Sequence, residues 1–318
     1  MQIESIEYGG YRIGIPIPFP VKYVYCYLFP KGQGYILIDT GFGERSKVAW
    51  LEVFKLLDIT PSQISDVYLT HFHPDHSGLS GWMQQLTGAN VFIHEIDKEM
   101  MMHVWDSDGK QAVRIKNMLI EHGTPKELAE RIQEQMLHLI EQMKPLPVLT
   151  AIESEVAFGR AKWQVIVTPG HSTGHIVFYE EEEQIMLIGD HVIDGITPNI
   201  SVWPGSSQTP LQDYLSSLKQ LAKLPVKKAY PAHKNTIQDL PSAIQSILYH
   251  HEERLYHMEK LADCLSAYEI ASQVFAKKSL SPHQWRFAIA ETIAHMEYLK
   301  EEGRLQKELG QKIIYKQW

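Results

Sequence analysis

Six consecutive residues, His71-Phe72-His73-Pro74-Asp75-His76, place three imidazoles and one carboxylate directly after the apolar stretch DVYLT. Imidazole nitrogen and carboxylate oxygen are the ligands that borderline divalent ions such as Zn²⁺ accept, and neutral imidazole is available near pH 7. Without a cation, four ionisable groups this close would repel or desolvate one another, so the composition reads as a metal site rather than a solvated polar turn. Three further residues share one arrangement, an apolar strand delivering a polar side chain at its carboxyl end. His171 follows WQVIV and a Thr-Pro-Gly, Asp190 follows IMLIG, and His233 follows KAYPA. Each alone is an ordinary histidine or aspartate. Together they place ligands where α/β proteins assemble their sites.

The elements that would hold these residues are legible as alternating strands and helices. Strand patterning covers about 2–14, 21–29, 35–39 and 66–70, with a helix at about 44–57 and another opening at Ser77-Gly78. Residues 97–147 read as a helical insertion poor in Pro and Gly, with Thr124-Pro125-Lys126-Glu127 as a capping box. The insertion holds six of the eleven methionines, Met100, Met101, Met102, Met118, Met136 and Met143, which suits core filling or an adaptable pocket wall equally. Strands are expected again at about 155–168, 174–180, 184–189 and 228–230, with a helix capped by Thr209-Pro210-Leu211-Gln212 between the last two. From about 240 the chain reads as three helices, 241–261, 268–275 and 281–301, followed by a strand at 312–315. The expectation is an α/β catalytic domain over 1–240 and a winged-helix-like domain over 241–318.

Composition narrows the function classes. At 318 residues the chain predicts about two domains. With 44% hydrophobic and 21% charged residues and no apolar run of ~20, neither disorder nor membrane insertion is expected. The two cysteines, Cys26 and Cys264, form no disulfide framework and the amino terminus shows no secretory pattern, so the expected location is cytoplasmic. A net charge of −8 argues against a general nucleic-acid binder.

The motif set THFHPDHSG at 70–78, TPGHSTGH at 168–175, GDH at 189–191 and PAH at 231–233, in that order, resembles the metallo-β-lactamase superfamily. The resemblance covers roughly residues 1–240 and implies an αββα sandwich with a dinuclear metal site. The stretch ending in Glu302-Gly303-Arg304-Leu305 is similar to the winged-helix-type extension of the branch that includes the β-lactamase-like protein 2 endoribonuclease. By the resemblance, His71, His73 and His171 hold one metal, Asp75, His76 and His233 the second, and Asp190 bridges them. The implied cofactor is a pair of divalent ions, zinc first, with iron or manganese as alternatives. The Asp at 190, where many true β-lactamases carry Cys or His, argues against β-lactam hydrolysis. The His at 73, where flavodiiron proteins carry Glu, argues against oxygen-reducing iron chemistry.

The implied activity is hydrolysis by a metal-bridging hydroxide of an ester, thioester or lactone in a small molecule, with Asp75 orienting the hydroxide and carrying its proton. His175, His191, His94 and Asp39 are candidates for supporting the ligands. The alternative is a phosphodiesterase or endoribonuclease acting on single-stranded RNA. Charge favours the first, since residues 241–318 hold ten basic and ten acidic residues and leave 20 basic against 28 acidic in the rest. In 282–302, Arg286 and Lys300 stand against Glu291, Glu297, Glu301 and Glu302, so no duplex DNA partner is expected. The glutathione-binding cluster of glyoxalase II and the Tyr after the bridging Asp of acyl-homoserine lactonases have no counterpart here. The apolar positions Trp285, Phe287, Ile289, Ile293, Met296 and Leu299 are more than a three-helix unit buries alone. They are expected to pack on the catalytic domain or on a partner subunit, as in a homo-oligomer.

Overall fold

A computed structural model describes residues 2–105, 108–276 and 279–318. Four strands, β1 (Gln2–Ser5), β2 (Tyr11–Pro16), β3 (Tyr23–Lys31) and β4 (Gly34–Ile38), form an antiparallel meander. The same sheet continues in parallel through β5 (Ile64–Tyr68), β6 (Asn90–Ile93) and β7 (Leu149–Ala151). Parallel pairing needs crossovers, and helices supply them. These are α1 (Glu44–Leu56) before β5, α2 (Pro74–Ser77) and α3 (Ser80–Thr87) before β6, and α4 (Glu95–Trp105), α5 (Lys110–Glu121) and α6 (Lys126–Gln142) before β7. The second sheet has the order β12-β11-β10-β9-β8, from β8 (Glu155–Phe158), β9 (Ala161–Val167), β10 (Ile176–Glu180), β11 (Ile185–Gly189) and β12 (Lys228–Pro231), with α7 (Pro210–Leu221) crossing between β11 and β12.

Strand alternation shows why two sheets stack with helices outside. In β3, Tyr27 and Phe29 enter an aromatic layer with Tyr68, Phe158, Trp163, Phe178 and Tyr230, while Val24, Cys26 and Leu28 enter the helix-covered core. Similarly, Ile185 and Leu187 of β11 face that aromatic layer and Met186 and Ile188 face away from it. Both faces of both strands are buried, so their apolar runs are continuous. The expected αββα layering follows directly.

Several local expectations change. The strand expected over 2–14 is broken at Tyr8, whose φ of 58° is left-handed, and the strand over 155–168 is a hairpin turning at Gly159 and Arg160, with φ of 60° and 63°. Thr124 forms no capping box: α6 starts at Lys126, and the buried Thr124 hydroxyl has no partner among the described residues. Pro210 opens α7 as expected, but the Thr209 side chain does not cap it. At Ser281 the box does form, Gln284 N donating to Ser281 Oγ at 3.3 Å and Ser281 N to Gln284 Oε1 at 2.9 Å. Residues 106 and 107 of the expected insertion lie outside the described residues.

The carboxyl-terminal segment comprises α8 (Leu240–Leu261), β13 (Asp263–Leu265), α9 (Ala267–Val274), α10 (Pro282–Glu301), β14 (Gln306–Glu308) and β15 (Ile314–Lys316), with sheet order β13-β15-β14. Reading three helices and one strand missed β13 and β14, three residues each and too short to show alternation. Helix α10 is buried along most of its length, through Ile289, Ile293, Met296 and Leu299 among others, against α8 and α9 and against α5, α6 and α7. Much of its apolar surface is covered by α5, α6 and α7 of the same chain.

Candidate metal centre

The strand β5 runs into Thr70-His71, and the position of this loop is set by Asp39, the residue that follows β4. Asp39 is buried and held at a φ of 60°, a conformation that is uncommon outside glycine. Its Oδ1 accepts from Thr70 N at 2.9 Å, and its Oδ2 accepts from Thr70 Oγ1 at 2.8 Å and from His76 Nδ1 at 2.8 Å. One carboxylate therefore fixes both ends of the His71–His76 loop. It also commits His76 Nδ1 as donor and leaves Nε2 free.

The other ligand candidates are oriented in the same manner. His171 Nδ1 donates to the Asn199 carbonyl at 2.9 Å, and His233 Nδ1 to the Tyr23 carbonyl at 2.8 Å, so each turns its Nε2 toward the cluster. Asp190 follows Gly189, where φ is 54° and a Cβ would lie 2.7 Å from His175 Nε2, so glycine is required. His175 in turn accepts from Asp190 N at 3.2 Å, with its Nδ1 2.8 Å from Thr168 Oγ1.

All seven residues expected at the site converge, in two groups. His71, His73 and His171 form one, and Asp75, His76, Asp190 and His233 the other, with candidate ligand atoms within 4.8 Å of one another in each. His73 Nδ1 lies 2.9 Å from His171 Nε2. Asp190 faces both groups: Oδ1 is 3.4 Å from His76 Nε2 and 3.5 Å from His233 Nε2, while Oδ2 is 3.6 Å from His171 Nε2. Asp75 Oδ2 is 3.2 Å from His233 Nε2 and 3.9 Å from His76 Nε2.

The cluster fits cations better than it satisfies itself. His71 Nε2, His76 Nε2 and Asp190 Oδ1 are buried with no hydrogen-bond partner among the described residues, an arrangement that ordinarily costs ~1–3 kcal/mol per group. Burial pushes His71, His73 and His171 below the usual imidazole range, keeping them neutral and able to donate a lone pair. Burial also works against charge on His76 and His233, yet Asp190 and other nearby carboxylates raise both, His233 to about 10. Burial opposes ionisation of Asp75, but His76 and His233 hold it down at about 2. Asp39, Asp75 and Asp190 together give the second group a negative surplus that suits a divalent cation.

Of the four supporting candidates, Asp39 and His175 hold the cluster. His191 instead pairs with Ser217 Oγ at 3.0 Å, and His94 meets Ile96 N at 3.4 Å. Sequence reasoning missed Asp97. Fully buried, it accepts from Phe72 N at 3.2 Å, Ser172 Oγ at 2.6 Å and Gly174 N at 2.6 Å, tying the two histidine loops together. Burial raises its pKa to about 6. Its position at the start of a helix gives it the look of an ordinary first-turn acid.

The cluster opens into a cavity of about 370 Å³. Phe72, His73, Asp75, His171, Asp190 and His233 form its floor. Its walls come from elsewhere, including Phe19 and Val21, Met100 and Met136 of the insertion, Ile193 and Ile196 to Asn199, and His283, Arg286 and Phe287 of α10. The methionines divide between both roles: Met101 and Met143 fill core, whereas Met100 and Met136 line the cavity. Neither the α10 contribution nor the 193–199 segment has a signal in the sequence, because both reach the cavity only through packing.

Comparison with known proteins gives the family. Residues 20–233 match the family model described as the metallo-beta-lactamase superfamily, and residues 256–317 match the metallo-beta-lactamase-like C-terminal domain. The chain is 27% identical over 308 residues to the Bacillus subtilis protein named "Probable metallo-hydrolase YqjP", covering 91% of this chain and 92% of that one. It is 30% identical over 260 residues to the lactamase-like protein adaB of Aspergillus niger, covering 80% of this chain and 64% of that one. The crystal structure of a metallo-beta-lactamase family protein from Thermus thermophilus superposes with a TM-score of 0.87 at 32% identity, covering 98% of this chain and 99% of that one. With two thirds of its length in the superfamily match and the carboxyl-terminal segment similar to the C-terminal domain of such proteins, the chain belongs to the metallo-β-lactamase superfamily.

Proposed function

We propose that the protein is a dinuclear metal-dependent hydrolase acting on an ester, thioester or lactone of a small molecule. The reading is carried by one observation: two groups of oriented, partly orphaned ligand atoms, with Asp190 of the second facing His171 of the first, open into a mostly apolar cavity. The naming of the Bacillus subtilis relative as a metallo-hydrolase supports the same class. His71, His73 and His171 would hold one ion, Asp75, His76 and His233 the other, with Asp190 bridging, and zinc suits the imidazole-rich set. When bound, two such ions supply Lewis acidity and a water acidic enough to act near neutral pH.

The chain's own groups do the rest. Asp75 lines the cavity and its carboxylate is held ionised by His76 and His233, so it can accept a hydrogen bond that orients a water, and its place beside that water gives it the relay of a proton to a leaving group. The Nδ1–H bonds of His76, His171 and His233 keep each imidazole from rotating away. Phe19, Val21, Met100 and Phe287 exclude bulk water and receive an apolar substrate body. A panel of ester, thioester, lactone and phosphodiester substrates with metal-replete protein tests the assignment. Turnover of one of the first three classes is expected; phosphodiester cleavage alone would replace the reading with the nuclease alternative.

A further inference from the structure

The cavity holds one charged side chain that the metal chemistry does not use. Arg286, on the second turn of α10, is 7% exposed and lines the same cavity as the ligand cluster. Among the described residues its Nε has no hydrogen-bond partner, and Nη1 points at Met136 Sδ, a weak acceptor. No carboxylate pairs with it among the described residues, since the carboxylates lining the cavity, Asp75 and Asp190, belong to the cluster. Its plane is held instead by aromatic rings, with Cζ 4.5 Å from the centroid of Phe287 and 5.5 Å from that of Trp203.

A guanidinium buried without an anion is costly, and folded proteins keep such a group only where something compensates it. Stacking on Phe287 and Trp203 orders the fork but leaves Nε without a partner and Nη1 with only the weak acceptor Met136 Sδ. Carboxylate and phosphate oxygens match that fork in geometry and in charge. Leaving the guanidinium unpaired would otherwise favour Met or Leu at this apolar position.

We propose that Arg286 anchors an oxyanionic group, carboxylate or phosphate, of a substrate whose apolar body spans the cavity toward the metal cluster. The carboxyl-terminal segment thereby contributes substrate selection to a centre built wholly by the preceding 240 residues. The proposal rests on reading this cavity as the substrate site, and its test does not depend on turnover.

Calorimetric titration of the metal-loaded full chain with octanoate, octyl phosphate and octanol reads the anchor directly, because the three probes share a chain and differ in head group. One anion is expected to bind at least about tenfold tighter than octanol, and Arg286→Met to weaken that anion at least about tenfold with metal content unchanged. The tighter of the two anions identifies the head group. Arg286→Lys, which keeps the charge and loses the fork, is expected to fall between the two proteins. The proposal is overturned if neither anion binds, if octanol binds as tightly as both, or if Arg286→Met or Arg286→Lys binds the anions as the wild type does. Where Arg286→Met fails to fold, Arg286→Lys carries the test, because the wild-type preference alone does not separate the guanidinium from the ions. A silent substrate panel beside Arg286-dependent anion binding would sink the hydrolase reading and leave the anchor in place.

Discussion

The floor and the walls of the cavity are built by opposite means. The floor is polar and comes from strand ends: β5, β9, β11 and β12 each end within four residues of a ligand candidate, and both sheets deliver to one line. The walls are apolar and come from the Phe19 loop, the insertion helices, the 193–199 segment and α10, which are far apart in sequence. A strand end fixes an atom to within the accuracy of hydrogen-bonded ladders, and chemistry with metals demands that accuracy. Side chains on helices packed against one another vary more freely without moving the floor. On the hydrolase reading, the contrast separates the reacting centre from what selects the substrate.

The largest expected effect lies in the floor. Asp190→Ala removes the carboxylate facing both groups and should lose both metals, lowering kcat/KM by at least ~10³-fold, as elemental analysis beside steady-state kinetics will read. His71→Ala should lose one metal and most activity. Retention of two metals by Asp190→Ala would leave the floor no different from any other polar patch.

Asp75→Asn sharpens the floor further. It should keep the fold while kcat falls by ~10²–10⁴-fold, the usual weight of a general acid–base group. Near wild-type turnover in a variant with full metal content would remove Asp75 as proton carrier.

Behind the ligands, Asp39→Asn should weaken metal binding by ~10–100-fold, because His76 would lose the charged acceptor that holds its tautomer. Competition with a chromophoric chelator measures it. An unchanged affinity would mean that Thr70 alone positions the loop.

The helices that carry the walls have a different weakness. Burial holds His122, where α5 ends beside the carboxyl-terminal segment, and His295 of α10 each at about 4, against 6.5 when unfolded. The unfolded chain therefore binds more protons between these values, so stability is full above about pH 6.5 and falls as pH drops toward 4, by up to about 3 kcal/mol for each group. Urea unfolding at pH 7.5 and 5.0 should show this, and a His122→Gln variant should lose part of the pH dependence. A flat profile would show that the helical seam tolerates charge.

The same contrast explains what was legible in the sequence. The floor could be read because its residues are chemically rare and lie at the ends of apolar strands: three histidines and an aspartate within six residues seldom occur except around a metal. The αββα layers followed from strands such as IMLIG, apolar at every position and so buried on both faces. The walls could not be read. Arg286 looks like an ordinary surface arginine in an amphipathic helix, and only α10 packing on α6 turns it into the cavity. Asp97 is equally silent, since its three donors come from loops 25 and 75 to 77 residues away. Thr124 and Thr209 carry good capping motifs that the folded chain leaves unused, local preference yielding to the packing that sets where α6 and α7 begin.

Metal stoichiometry of the purified, metal-supplemented chain is the most direct test of the central claim, that two ligand sets sharing Asp190 hold two divalent ions. Elemental analysis should find close to two ions per chain, zinc first among them. At most one ion per chain after supplementation with zinc, iron and manganese in turn would contradict it.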